Sequence, residues 1–451
     1  MHSLMNQIFT QVVSAVVLLV GGAVIVLLVW GLHRQWWRVR RIRRLVIALP
    51  LVGFGVALLW TVVRLLDISF LERIFGFVAS FLFVLTLFLL ALLPISGLLL
   101  SSERLAWWGV KRRRARIAAA ASPDAARADT GRTDRAHALV PTDRERKEIL
   151  DERNEREEID QGRRALVAAA AGAIPLFAIG GTAVGVLQSQ DDVVYPEVTL
   201  RFRDLPPALD GLRILHLSDL HLGYYIRLAD LEMLLNGAEG LGADLMVVTG
   251  DLSDDLPVFA TALSMIAQLP TRHGTFASLG NHEYYRGIDE VLKAYDKGSV
   301  PLLRESGQTL SIGGTDLYIG ASDDPAALGR SRADVGDEKG TFLDRSVAKA
   351  LDGAPSDAFT IMLTHRPEGF DGAAMHGVDL TLAGHTHAGG QMGWNGRSFV
   401  ETWLGIGKYM WGHYEKNDGR TQLYTTAGAG HWLPFRLGVP REVPVYTLKK
   451  G

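Results

Sequence analysis

The chain has 451 residues, 48% hydrophobic and 21% charged, with a formal net charge of −2 and no cysteine. So even a balance excludes a general nucleic-acid binder, which carries a strong basic excess. The missing cysteines exclude disulfides and thiolate metal sites, so any metal must be held by His, Asp, Glu or Asn.

Apolar residues concentrate at the start. The runs 8–32, 45–66 and 76–100 each reach the roughly 20 helical residues that cross a bilayer core. A fourth run, 165–187, is rich in Ala and Gly and free of charge. Arg34, Arg38, Arg40, Arg41, Arg43 and Arg44 separate the first two runs, whereas the link 67–75 holds only Arg73 beside Asp67 and Glu72. Lys111, Arg112, Arg113, Arg114 and Arg116 follow the third run, and Arg163 and Arg164 precede the fourth. Short cytoplasmic loops collect Lys and Arg. The expectation is therefore a multi-pass cell-membrane protein with its N-terminus outside, both basic segments inside and everything after 187 extracytoplasmic. Without the fourth span, the C-terminal part would be cytoplasmic. A cleavable signal peptide fits poorly, because the first run is too long and no basic region precedes it. Apart from Arg64 near one end, the spans carry almost no ionisable groups, which argues against a transport path.

The domain order read from this pattern is three transmembrane helices over 1–100, a charged cytoplasmic linker over 101–164, a fourth span over 165–188 and one globular domain over 189–451. Within the linker, 118–142 has few large apolar residues and reads as disordered. The stretch 143–164 mixes acids and bases at helical spacing and reads as a solvated helix.

In the globular part, short β-rich runs each end where polar residues begin. Runs 213–218, 245–249, 275–279, 360–364 and 379–383 lead into Asp219, Gly250-Asp251, Gly280-Asn281-His282-Glu283, His365 and Gly384-His385-Thr386-His387. Helical patterns at 228–237 and 257–269 lie between them, so buried sheets flanked by helices are expected. In such folds ligands gather at the carboxyl ends of strands.

Those endings have the chemistry of a two-cation site. Divalent ions of this kind want carboxylate, amide oxygen and imidazole ligands, and an adjacent pair needs a bridging group. Asp219 and His221 stand at i and i+2 of an apparently extended segment, which turns both side chains one way. Asp251, after a glycine, is a natural bridge, Asn281 offers a neutral oxygen, and His365, His385 and His387 offer imidazoles. Singly, each motif reads as a turn, a surface histidine or a core histidine. In one ordered set they point to metal.

The same blocks resemble the calcineurin-like metallophosphoesterase superfamily in its chain order, from about 212 onward. The wording Ser218-Asp219-Leu220-His221-Leu222-Gly223, the Gly389-Gly390-Gln391 after the last block and the apolar start resemble its membrane-anchored bacterial phosphohydrolase branch. The resemblance implies an α/β fold: a four-layer αββα double β-sandwich with helices on both outer faces, here preceded by transmembrane helices. It implies two divalent metal ions per chain (manganese, iron, zinc or similar). One would sit on Asp219, His221, Asp251 and His387, the other on Asp251, Asn281, His365 and His385. Ala388 intrudes before Gly389, which puts the shape of that loop in question.

The implied activity is hydrolysis of phosphomonoesters or phosphodiesters by a metal-bridging hydroxide; anchoring beside the membrane favours a lipid-linked substrate and leaves soluble nucleotides and phosphorylated proteins open. His282 would face the phosphate as proton donor, oriented by Asp219 or Glu283. Arg366 and Arg436 are candidates for holding a substrate phosphate. Trp403, Trp411 and Trp432, near His413 and His431, could form a lid, dip into lipid headgroups or simply pack among late loops. The rival reading is a catalytically silent metal-binding or sensory module at the membrane. Degenerate members of a hydrolase fold usually lose ligands, and here all seven candidates and His282 are present.

Overall fold

The computed structural model describes residues 2–66, 68–120, 143–223, 225–329 and 336–451. The linker stretch 121–142 lies outside the described residues. Two compact units are formed. One comprises the N-terminal residues to Val12, Leu59–Phe81 and Ala183–Gly451; the other comprises Val13–Leu58 and Leu82–Thr182.

Among the described residues, four helices are long and apolar enough to cross a membrane: Gln11–Leu32, Arg40–Leu65, Phe70–Ser102 and Gln161–Gln188. Inside the second unit Ile25, Val29 and Leu93 form a buried cluster. There His33 Nε2 lies 3.1 Å from the Leu93 carbonyl, and the Ser96 hydroxyl donates to the Ala171 carbonyl at 2.8 Å. Both contacts answer the need to pair polar groups within apolar surroundings.

Among the described residues, the first unit holds thirteen strands: β1 (Glu197–Phe202), β2 (Arg213–Leu217), β3 (Leu245–Thr249), β4 (Thr275–Ser278), β5 (Ser306–Ile312), β6 (Thr315–Ala321), β7 (Phe359–Leu363), β8 (Leu380–Ala383), β9 (Gly393–Trp394), β10 (Arg397–Ser398), β11 (Gly412–Lys416), β12 (Thr421–Thr425) and β13 (Val445–Lys450). The five strands expected from the pattern end within a residue of their expected limits. One sheet has the order β1-β13-β2-β3-β4 and the other β11-β12-β8-β7-β6-β5. Strands β2, β3 and β4 run parallel, as do β6, β7, β8 and β12. Strands buried on both faces read as unbroken apolar runs, which is why Leu-Met-Val-Val-Thr in β3 shows no alternation.

The sheets pack face to face through a cluster that includes Ile214, Leu245 and Val247 from one and Ile319, Ile361 and Leu382 from the other. On the outer face of the first sheet, Leu217, Met246 and Val248 pack against Leu231 and Leu234 of helix Leu228–Glu239 and Phe259 of helix Leu256–Ala267. On the outer face of the second, Met362 packs against Val347 of helix Gly336–Ala350 and Ala373 of helix Gly369–Met375. The result is the four-layer αββα sandwich. Its parallel strands point their carboxyl ends at one rim.

Candidate metal centre

Three strand ends of the first sheet and two of the second supply the site. Beyond β2, β3 and β8, five residues adopt left-handed backbone: Asp219 (φ 52°), His221 (50°), Asp251 (52°), His385 (71°) and His387 (45°). The Asp219–His221 segment is thus coiled rather than extended, contrary to the sequence-based expectation. Side chains with a Cβ adopt this region at a cost of about 1–3 kcal/mol each and keep it only where the surroundings over-determine it. Its concentration on candidate ligands marks a functional rim.

Close backbone approach explains the motif glycines. A Cβ on Gly250 (φ +84°) would lie 2.3 Å from the Gly280 nitrogen, so the two loops meet only through glycine. A Cβ on Gly384 would lie 2.1 Å from both Asp219 Oδ2 and Ser218 Oγ. The His385 N–H donates to the Asp219 carboxylate at 2.9 Å, and Ser218 Oγ donates to it at 2.6 Å. The intruding Ala388 is accommodated by a left-handed turn across His387–Gln391, with its methyl buried against Trp411, Ala427 and Val439.

His365 sits where the two sheets meet. Its Nδ1 donates to the Thr249 carbonyl at 2.8 Å, which aims Nε2 at the centre. That Nε2 lies 3.2 Å from Asp251 Oδ2, 3.0 Å from Asn281 Oδ1 and 3.1 Å from His385 Nδ1. On the other side of Asp251, His221 Nε2 lies 3.6 Å from the same Oδ2 and 3.1 Å from His387 Nε2. His387 Nε2 is also 3.5 Å from Asp219 Oδ1. Asp251 Oδ2 therefore stands between the two groups.

Among the described residues, three sets offer ligand atoms all within 4.8 Å of one another: Asp219, His221 and His387; Asp251, His365 and His385; and His221, Asp254 and His282. Buried imidazole nitrogens facing each other at 3.1 Å repel lone pair to lone pair unless a cation or proton lies between them. An all-nitrogen-and-oxygen donor set suits divalent ions, so these residues fit metal. Charges are consistent with that. Burial opposes ionisation of Asp251, but His365, His282 and His221 hold its carboxyl well below the usual range. Burial holds His385 and His387 well below the usual imidazole value, which keeps them neutral, the ligating form.

Residues 212–389 match the Calcineurin-like phosphoesterase family. An uncharacterized metallophosphoesterase of Aquifex aeolicus is 31% identical over 258 residues, covering 56% of this chain and 90% of that protein. The chain belongs to the calcineurin-like metallophosphoesterases. A Helicobacter pylori metallophosphoesterase is 30% identical over 257 residues, 55% of this chain and 64% of its own length. A Bos taurus transmembrane protein with metallophosphoesterase domain is 29% identical over 276 residues, 59% of each chain. The chain thus spans less than two thirds of these two relatives. With its four apolar helices, this metallophosphoesterase is a membrane protein of a metal-dependent family.

Around the metal-binding clusters the partners of several side chains differ from expectation. The His282 N–H donates to Asp251 Oδ1 at 2.8 Å, while its Nδ1 is hydrogen-bonded to Asp254 Oδ1. Arg286 Nε donates to that same oxygen at 3.0 Å, and Asp254 Oδ2 lies 3.4 Å from His221 Nδ1. The carboxylate that orients His282 is Asp254, not Asp219 or Glu283. Burial opposes protonation of His282, but Asp254 and then Asp251 raise its pKa to about 9. The only hint in the sequence was the acidic pair Asp254-Asp255, beginning three residues after Asp251.

Glu283 turns away, accepting N–H bonds from Gly280 and Leu252 at 2.8 Å and from Asp251 at 3.0 Å. Arg436 is no phosphate ligand either. Fully buried, it donates to the carbonyls of Pro440, Ala427, Gly428 and Gly430, bracing the loop against which Asp219 packs. Arg366 is buried in an ion pair with Asp324 at 3.0 Å and lines a cavity beside His385 and His387. Trp411 packs inside and donates to Glu442 at 3.1 Å, whereas Trp403 and Trp432 are exposed.

Proposed function

We infer that this metallophosphoesterase is a multi-pass, dinuclear hydrolase of phosphomonoesters or phosphodiesters, lipid-linked ones included, with its catalytic domain outside the cytoplasm. The observation that carries the reading is convergence: six residues scattered from 219 to 387 meet on either side of Asp251 Oδ2. Two divalent cations, one on Asp219, His221, Asp251 and His387 and one on Asp251, Asn281, His365 and His385, would supply Lewis acidity and activation of water.

The chain's own residues have separable tasks. Thr249 fixes the His365 tautomer through its carbonyl, the kind of outer partner that orients a ligand. Asp254 holds His282 by Nδ1, so Nε2 faces the centre, 3.9 Å from Asp251 Oδ2. Held this way, His282 can give a proton from Nε2 to a leaving oxygen.

Membrane topology follows the basic residues. In support, the segment Leu59–Phe81, around the link between spans two and three, and the end of the last span both belong to the catalytic unit. Alternating spans would bring those two ends to the same membrane face.

The test is hydrolysis by the full-length chain in detergent. Bis-p-nitrophenyl phosphate and lipid pyrophosphates are set against simple monoesters, with chelator and with manganese added back. Chelator-sensitive turnover is expected. A pure, folded preparation that holds two ions and cleaves nothing would leave the silent-module reading. His282→Ala should bind metal and lose most turnover, and wild-type turnover by this variant would remove His282 from the mechanism.

A further inference from the structure

Among the described residues of the catalytic domain, large exposed apolar side chains are unevenly placed. Val194, Met233 and Met375 stand singly, but Trp394, Phe399, Trp403, Leu404, Ile406 and Trp432 belong to one late region. Trp394 is 80% exposed and Trp403 75%. Singly scattered apolar residues are ordinary; a grouped set marks an interaction surface.

The group is built on two short elements. The hairpin β9–β10 carries Trp394, and the helix Phe399–Leu404 that follows stacks Phe399 on Trp403, ring centres 6.0 Å apart. Both hang from the segment 432–438: the Gly393 N–H donates to the Leu437 carbonyl at 3.2 Å, and the Leu437 N–H to the Gln391 carbonyl at 2.9 Å.

That segment is fastened to the last apolar helix. The Arg436 N–H donates to the Gly185 carbonyl at 2.8 Å, and the Gly438 N–H to Gln188 Oε1 at 3.0 Å. Phe435 lies so close to Gly185 that a Cβ there would meet its ring at 2.2 Å. Residues 185 and 188 are the closing turn of the span Gln161–Gln188, the depth at which Trp side chains favour the membrane–water boundary.

A cavity of about 390 Å³ opens beside this segment. His385, His387 and Arg366 line it together with Trp432, Leu433 and Phe435. One side is charged and metal-adjacent; the other is apolar and touches the span. A phosphate ester with a hydrocarbon tail matches both sides, and a small soluble ester matches only one.

We propose that Trp394, Phe399, Trp403, Leu404 and Ile406 rest in the lipid headgroup layer, and that the cavity beside Trp432 takes phosphate esters whose chains stay in the bilayer. The lipid-bearing surface is independent of the activity; the substrate class rests on the phosphoesterase reading.

Because the chain has no native cysteine, single cysteines report on position cleanly. Trp403→Cys and Ile406→Cys, with Ser356→Cys as reference, are labelled with an environment-sensitive nitrobenzoxadiazole dye on the full-length protein in phosphatidylcholine vesicles. Ser356 is exposed just before β7, at the end opposite His365. The dye at 403 and 406 should be blue-shifted in the vesicles and quenched by lipids spin-labelled near the headgroup, with 356 unchanged. Equal behaviour at all three sites overturns the surface, as does energy transfer between labelled copies without lipid quenching, which would make a second copy the occupant.

For the substrate class, hexadecyl p-nitrophenyl phosphate in vesicles is compared with methyl p-nitrophenyl phosphate, which has the same scissile bond. Faster release from the hexadecyl ester is expected, and equal or slower release overturns the route from the bilayer. Cleavage of neither by a preparation that hydrolyses simple monoesters overturns the route alone, and no hydrolysis of any ester would end the hydrolase reading with it, while the dye still decides the surface.

Discussion

Glu283 offers the sharpest test of how the centre is held together. Its carboxylate is buried and takes the N–H groups of Gly280 and Asp251 on one oxygen and that of Leu252 on the other. It thereby staples the Gly250-Asp251 turn to the start of helix Asn281–Lys297. In Glu283→Gln the amide oxygen keeps at best the paired side, and the new NH₂ faces the Leu252 N–H. One orphaned buried donor costs about 1–3 kcal/mol, and the surviving bonds weaken as the charge is lost, for a total of roughly 3 kcal/mol. At about 2–4 °C per kcal/mol for a domain of this size, Tm should fall by about 6–12 °C. Glu283→Ala orphans all three donors at about 3–9 kcal/mol, comparable with the whole stability of a domain. The assay is thermal unfolding of the full-length protein in detergent, with bound metal measured on the same sample. Both variants should lose heat resistance and metal together. If Glu283→Gln keeps wild-type Tm and metal but loses turnover, Glu283 is a chemical participant and the structural account is wrong.

Three other outcomes follow from the same geometry. Asp254→Asn removes the charge that orients and protonates His282, so kcat should fall about 100-fold with KM little changed; unchanged kcat would contradict the assignment. Gly384→Ala drives a methyl to 2.1 Å from Asp219 Oδ2 and Ser218 Oγ, a strain of about 1–3 kcal/mol; metal content and Tm should both drop, and retention of both would refute the clash. His216 is buried between Tyr446 and Thr249, and burial lowers its pKa to about 3. The unfolded chain takes up this proton below about pH 6.5 and the folded one does not. Stability is therefore unaffected above that pH and falls by about 1.4 kcal/mol per pH unit below it. His216→Gln should flatten the acid limb of Tm against pH, and parallel limbs would rule the linkage out.

Much of the site was legible before any fold was known. Strand β3 announces itself by an apolar run ending in Gly250-Asp251, and β8 by one ending in Gly384-His385-Thr386-His387, because burial and strand termination are local properties of the chain. Donor chemistry is equally local, since an imidazole or carboxylate can ligate wherever it is placed.

Partnership is not local. β1 pairs along its whole length with β13, from Glu197 opposite Val445 to Phe202 opposite Lys450, across nearly the entire domain. In the amino-acid order Asp254 lies three residues past Asp251, Glu283 inside a motif and Arg436 far beyond the last one, and none shows its partner. Only the folded chain gives His282 to the first, three backbone N–H groups to the second and four carbonyls to the third. Composition and periodicity determine which surfaces must be buried and which atoms can donate. Which donor meets which acceptor depends on chain segments brought together from far apart, and that was decided by tertiary packing.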